Sequence, residues 1–309
     1  MESTTSHDGP HRADASTHAK SGFQMTIAAG FQTSNDVLCK LLMPTYPVGE
    51  IIAIRSIIIL IIIGVSRWRG NQDAPLFKNK SLHALRAIVF GVSTMLFLGG
   101  LGYMPLTNAI ALSFMSPLFV AVLSPIFLGE HVNLKCWTAT ATGFVGALFI
   151  LSPSIRQFGW PSILPALSAV TSASVDMMTR RMSRTESNQS FMVSAAWGAL
   201  IVSLLAVVWG GWHWPDAMAL ATILATSLSM LLFYYFMIEA LRRTPAFVVT
   251  PFRYSALVWG VLVSIFIWGE LPSIGVLFGS AILAVCGVYL ASGRWSYSPA
   301  DKKPVELTG

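Results

Sequence analysis

Thr107 to Glu130, TNAIALSFMSPLFVAVLSPIFLGE, is an apolar run that stops at Gly-Glu, and 140 positions later the chain repeats it inexactly as VTPFRYSALVWGVLVSIFIWGE, Val249 to Glu270. Both runs are long enough to cross about 30 Å of hydrocarbon at about 1.5 Å per residue as a helix. The same offset carries Asp36 onto Asp176, Lys40 onto Arg180 and Ser124 onto Ser264, and a one-residue slip aligns Gly146 with Gly287. Few identities support the register, but they agree with one another, as an old internal duplication requires. The sequence therefore divides into two halves of 140 residues or so.

Composition assigns these halves to lipid. Of 309 residues, 11% are charged and 54% hydrophobic, with a mean hydropathy of +0.64, whereas a soluble domain carries about a quarter charged residues. The net charge of +6 does not imply a nucleic-acid partner, because the basic residues are scattered through short loops and form no continuous face. Cys39, Cys136 and Cys286 show neither pairing nor metal-ligand spacing and read as free thiols. Residues 1–22 are polar and lack the apolar core of a signal peptide, so a disordered cytoplasmic tail is expected there, with a second tail over 293–309.

Apolar runs at 23–43, 48–66, 84–103, 106–128, 136–152, 161–179, 191–210, 217–241, 245–268 and 273–292 predict ten transmembrane helices. The fold class is thus an all-α integral membrane protein, with a first repeat over 23–152 and a second over 161–292. If the N-terminus is inside, the cytoplasmic segments hold sixteen Lys and Arg, among them Arg67, Arg69, Lys78, Lys80 and Arg86 where the second run leads into the third. The outer loops hold only Arg156, while Lys40, Arg55 and Arg253 lie within runs. This asymmetry places both termini in the cytoplasm. Five spans per half then turn the second half upside down relative to the first, an inverted repeat of the kind found in secondary transporters, whose substrate sites lie between the halves.

The motifs in their order resemble the drug/metabolite transporter superfamily, in its ten-helix EamA-domain branch. They are Leu-Gly-Glu at 128–130 and Trp-Gly-Glu at 268–270, the link PLTNA at 105–109, TPAFVVTPFRY at 244–254, and the Gly-containing GFVGALFI and AVCGVYLA at 143–150 and 284–291. Each motif is loose alone; their order and duplication carry the likeness, which spans residues 23–292. The resemblance implies a secondary carrier of a small organic metabolite in the inner (plasma) membrane, without ATP hydrolysis, cofactor or resident metal. Its relatives carry riboflavin, amino acids, nucleosides or S-adenosylmethionine. The aromatics Phe233, Tyr234, Tyr235, Phe236, Tyr254 and Trp259 either stack on a planar ring, which favours riboflavin or a similar heteroaromatic metabolite, or face lipid. The partners expected are this substrate and the bilayer, with a homodimer allowed.

Ionisable groups inside a membrane usually face protein or a water-filled cavity. Arg253 and Tyr254 are expected to face a central cavity, Arg253 as a planar fork of donors and Tyr254 as a stacking surface. Arg55, Asn108 and Tyr234 complete the substrate-binding candidates. Asp36 and Lys40 are four apart, as are Asp176 and Arg180, and so can share a helix face. These four and Glu239 are candidates for gating or proton coupling, with Arg55 and Arg253 as cross-helix partners of the two aspartates. The alternative is that they anchor helix ends. Glu130 and Glu270 read as structural. Pro117, Pro125 and Pro251 mark places where a helix can unwind, and Gly99, Gly100 and Gly102 permit close packing. An enzyme is the rival class, but the six histidines fall in tails or loops and no HExxH, Walker A or G-x-S-x-G run occurs. A membrane scaffold would more naturally carry a folded soluble domain.

Overall fold

The computed structural model describes residues 9–70, 76–101, 112–130, 132–151, 160, 163–268 and 274–291. These form ten helical segments, and among the described residues there is no strand. In order they are α1 (Gly9–Leu42), α2 (Val48–Arg69), α3 (Lys80–Leu101), α4 (Ser116–Leu128), α5 (Leu134–Leu151), α6 (Ile163–Met182), α7 (Asn188–Gly210) and α8 (Ala217–Arg243). The ninth, α9, is composite: an α-helical turn Ala246–Val249, a 3-10 turn Thr250–Tyr254 and a helix Ser255–Trp268. It is followed by α10 (Ile274–Ala291). Val48–Arg69, Asn188–Val208 and Ala217–Arg243 are long and apolar enough to cross a membrane by length and composition alone.

Local chemistry sets several of the boundaries. Ser187 caps α7 by accepting the Ser190 N–H, and Asp216 caps α8 by accepting the Ala219 N–H. Gly129 takes a left-handed φ of 63° at the end of α4, where the Glu130 N–H folds back to the Ser124 carbonyl at 3.4 Å. The glycine of Leu-Gly-Glu is therefore a helix stop that a Cβ would strain.

Two boundaries differ from expectation. The described residues from Gly9 onward are helical, inside the segment expected to be a disordered tail. No proline follows Pro10 until Pro44, and adding turns to an existing helix costs far less than starting one. The run 106–128 is also not one continuous helix where it is described: the chain turns at Phe114–Met115 before α4 restarts at Ser116. Pro117, in the first turn of α4, has no N–H to give the preceding turn and disfavours α geometry in Ser116. Under the 140-residue offset this break falls on residues 254–255, where the 3-10 turn of α9 gives way to helix. The prolines do not correspond between the halves, but the discontinuities do.

Turns meet at two ends of the bundle. At one, Glu50 accepts the His213 N–H at 2.8 Å and Tyr46 Oη accepts the Asp216 N–H at 3.3 Å. At the other, Glu186 accepts the Asn79 and Lys78 N–H groups at 2.8 and 3.2 Å, and Arg180 reaches Glu130 and the carbonyls of Leu241 and Arg242. Helix neighbours follow a pattern. α1 packs on α8 as α6 packs on α3; α1 touches α9 as α6 touches α4; α2 pairs with α7 and α5 with α10. Exchanging helix n for helix n + 5 leaves these contacts unchanged. α3 approaches α7 so closely that a Cβ on Gly198 would overlap the Ala87 carbonyl, the close contact that small residues allow between membrane helices. Gly100 of α3 likewise lies against the Pro165 ring of α6; Gly102 lies outside the described residues, as do the side-chain surroundings of Gly99. Ile61, Ile126, Val208 and Phe266, among other large apolar side chains, point outward, as a lipid-facing surface requires.

Candidate functional site

Between the two halves lies a cavity of about 300 Å³, walled by α1, α2, α3, α6 and α8 and by the discontinuities that precede α4 and interrupt α9. Ser113, Phe114, Ser116 and Pro117 come from the first break, and Arg253 and Ala256 from the second. Both breaks are 3-10-type turns: the Met115 N–H bonds the Leu112 carbonyl at 3.0 Å, and Thr250–Tyr254 is a 3-10 turn. A membrane protein tolerates such departures from the α-helix where they line a cavity. Ser116 Oγ is buried there without a hydrogen-bond partner among the described residues.

The charges in the wall are arranged unequally. Asp176 of α6 accepts a hydrogen bond from Arg253 Nη1 of α9 at 2.8 Å, with the carboxylate side chain 5% and the guanidinium side chain 26% exposed. Asp36 of α1 has no such direct pair among the described residues: it accepts from Gln32 Nε2 and Asn35 Nδ2, both at 3.0 Å, and is open to the cavity. Arg55 of α2 donates instead to Asn35 Oδ1 at 2.9 Å, so Asn35 stands between the guanidinium and the carboxylate. The cavity is otherwise lined by rings and hydroxyls. Phe90, Phe97, Phe114, Phe233 and Tyr234 supply the rings, and Ser93 shares hydrogen bonds with Ser168 and Ser172 across α3 and α6.

The structure thus brings Asp36, Arg55, Asp176, Tyr234 and Arg253 to one space and separates the other candidates from it. Tyr254, expected beside Arg253, points away: it is 2% exposed and packs against Phe114, Gly143, Ala147 and Leu283. Consecutive residues on a 3-10 turn diverge by about 120°, so Arg253 and Tyr254 cannot share a direction. Arg180 does not pair with Asp176 and does not line the cavity; it joins α6 to Glu130 and to the end of α8. Glu239 sits in a knot with Asn188, Arg242 and Arg243. Asn108 and Glu270 lie outside the described residues, as do the side-chain contacts of Lys40. Of the six aromatics named from the sequence, Phe233 and Tyr234 line the cavity, Phe236 stacks on Phe31, Tyr235 is exposed, and Trp259 donates to the Thr26 carbonyl.

Sequence reasoning missed Arg86. Assigned to a cytoplasmic loop, it is a fully buried residue of α3 in the cavity wall, bonded through Nε to Thr179 Oγ1 and through Nη1 to the Phe191 carbonyl and Ser194 Oγ. The signal was present, since residue 86 falls inside the run 84–103. His83, likewise expected in a loop, is buried in the first turn of α3, 3.4 Å from Glu186.

Comparisons with known proteins agree with this architecture. Residues 21–152 and 159–293 each match the EamA-like transporter family. An S-adenosylmethionine uptake transporter of Rickettsia felis is 26% identical over 84% of this chain and 87% of its own length. Another, from Rickettsia conorii, is 30% identical over 65% and 68%. A riboflavin transporter of Vibrio cholerae is 27% identical over 80% and 83%. One crystal structure shares the fold, with a TM-score of 0.77 at 15% identity over 90% of this chain and 99% of that one. Two family matches that together cover most of the chain, and helices with apolar outer faces, lead to one assignment: the chain belongs to the EamA-like transporter family and is a multi-pass small-molecule transporter of the inner membrane.

Proposed function

We propose that this protein is a secondary transporter that moves a small heteroaromatic metabolite by alternating access through the cavity between its halves. The observation that carries the reading is the pair of helix discontinuities, 140 residues apart, that both open onto that cavity. Matched helix breaks at a repeat interface are how inverted-repeat carriers build a midplane site; the exchange symmetry of the helix contacts supports a two-fold relation between the halves, and the odd number of spans per half is what inverts it. Both termini lie in the cytoplasm in this reading. With Arg86 removed from the count, fifteen Lys and Arg of the tails, loops and adjoining helix ends lie inside and Arg156 alone outside.

The end bearing the α1–α2 turn is then periplasmic. Met43, Val48, Ile51 and Arg55 line the cavity toward it, while Arg86, Asp176, Met237 and Arg253 line the opposite end. The Asp176–Arg253 pair serves as the inner gate, and Asp36, open to the cavity, is the candidate proton site. Riboflavin and S-adenosylmethionine, the substrates named for relatives, both contain a fused heteroaromatic ring, which the phenylalanines of the wall suit. Uptake into proteoliposomes, with and without an imposed proton gradient, tests the reading over riboflavin, S-adenosylmethionine, amino acids and nucleosides. Gradient-stimulated uptake of a heteroaromatic member is expected. Uptake of none of the panel, or uptake only with ATP, contradicts it.

A further inference from the structure

The three arginines of the cavity wall face two aspartates. Arg253 is matched to Asp176, and Arg55 is linked through Asn35 to Asp36. Arg86 is left over: among the described residues no carboxylate forms an ion pair with it. Of its five N–H donors, Nε uses one and Nη1 two on Thr179, Phe191 and Ser194, so both remaining donors belong to Nη2, which is buried and has no partner among the described residues. The Phe191 ring lies 5.1 Å from the guanidinium carbon and helps to hold its plane. Asp176 acts on Arg86 only through space, its carboxylate being taken by Arg253, and a fixed guanidinium with one free nitrogen is suited to a carboxylate or phosphate oxygen.

The residues beyond it continue the pattern. Arg86, Phe90, Ser93 and Phe97 all line the cavity and succeed one another at helical spacing along α3. Phe90 is about 6 Å along the axis from Arg86, and its ring meets Tyr234 edge-on at 6.3 Å.

We propose that Arg86 anchors an anionic group of the transported metabolite, whose ring lies one helical turn further along α3 against Phe90 and Tyr234. This rests on the carrier reading above and narrows its substrate to heteroaromatic anions or zwitterions. It favours S-adenosylmethionine, which has a carboxylate, over riboflavin, which is neutral.

The test is equilibrium binding to the purified full-length protein of two pairs: S-adenosylmethionine with its decarboxylated analogue, and flavin mononucleotide with riboflavin. In at least one pair the anionic member should bind about tenfold tighter or better, the usual scale for a charge-assisted hydrogen bond. The pair that discriminates identifies carboxylate or phosphate. Arg86→Gln should erase that preference by weakening the anionic member alone, and Arg86→Lys should restore part of it. A purely structural role for Arg86 would weaken both members equally. If Arg86→Gln does not fold, the wild-type comparison still decides. Equal binding within both pairs overturns this inference and leaves the carrier reading standing. Binding of none of the four overturns the heteroaromatic reading and this inference with it.

Discussion

Asp36 and Asp176 occupy equivalent places in the two halves, yet one is held by a direct ion pair and the other through an amide. The difference lies in the bases. Under the 140-residue offset Arg253 corresponds to Ser113 and Arg55 to Ala195, so neither arginine has a counterpart in the other half. The duplication preserved the carboxylates and not their partners. Asp176 is closed off by Arg253 from α9, 2.8 Å away, whereas Asp36 is open to the cavity and meets Arg55 of α2 only by way of Asn35. Two ends fastened so differently are not isoenergetic. The directly paired end should resist opening more than the amide-linked one, so the resting carrier in this account is closed toward the Asp176 end.

The largest effect should come from breaking the direct pair. Arg253→Ala leaves Asp176 buried without its partner, and removing one member of a buried pair costs about 3–5 kcal/mol; the partial exposure of Arg253 places the cost near the lower figure. We expect uptake to fall by about a hundredfold and the added Asp176→Asn change to recover part of the lost thermal stability. Unchanged uptake at normal expression would remove Arg253 from the gate. Asn35→Ala removes the bonds to Arg55 and Asp36 at the other end. The same uptake assay should show a smaller loss, about tenfold, the lower end of the range for a hydrogen bond to a charged group, because Asp36 keeps its bond from Gln32 and is open to the cavity. A loss as large as that of Arg253→Ala would erase the contrast between the ends.

The smallest effect concerns stability at the Asp176 end. Burial pushes the Glu186 carboxyl up, but the Asn79 and Lys78 N–H groups and His83 more than reverse this and hold its pKa below the ordinary 4.5. A carboxylate with a lowered folded pKa contributes stability that is complete above the unfolded value and fades as pH falls through the folded one. The Tm difference between wild type and Glu186→Gln should therefore be present at pH 7, where the two N–H groups supply it, and shrink below about pH 4.5. A difference independent of pH would remove the charge from this contact.

Much of the site was legible because charge is rare in this sequence. Asp36, Arg55, Asp176 and Arg253 stand out within apolar runs, and all four line the cavity. Direction was harder to read. Tyr254 follows Arg253 in the chain, but a 3-10 turn separates their directions and sends the ring toward α5 and α10. Arg86 was misplaced because a basic side chain at the third residue of an apolar run reads as interfacial; its burial depends on Thr179, Phe191 and Ser194, about a hundred residues away in sequence. The breaks before α4 and within α9 were half visible. Pro117 and Pro251 marked each region, but the equivalence of the breaks emerges only from backbone geometry, since the prolines themselves are out of register.

Cys39 offers the most direct test, because it is a native thiol in the cavity wall toward the α1–α2 turn. With Cys136 and Cys286 replaced by alanine, a membrane-impermeant thiol reagent would be applied to right-side-out and inside-out vesicles. Cys39 should react from the periplasmic side, a bound substrate should slow the reaction, and Arg253→Ala should shift reactivity toward the cytoplasmic side. Reaction of the wild type from the cytoplasmic side, or a rate that Arg253→Ala leaves unchanged on both sides, would contradict closure toward the Asp176 end.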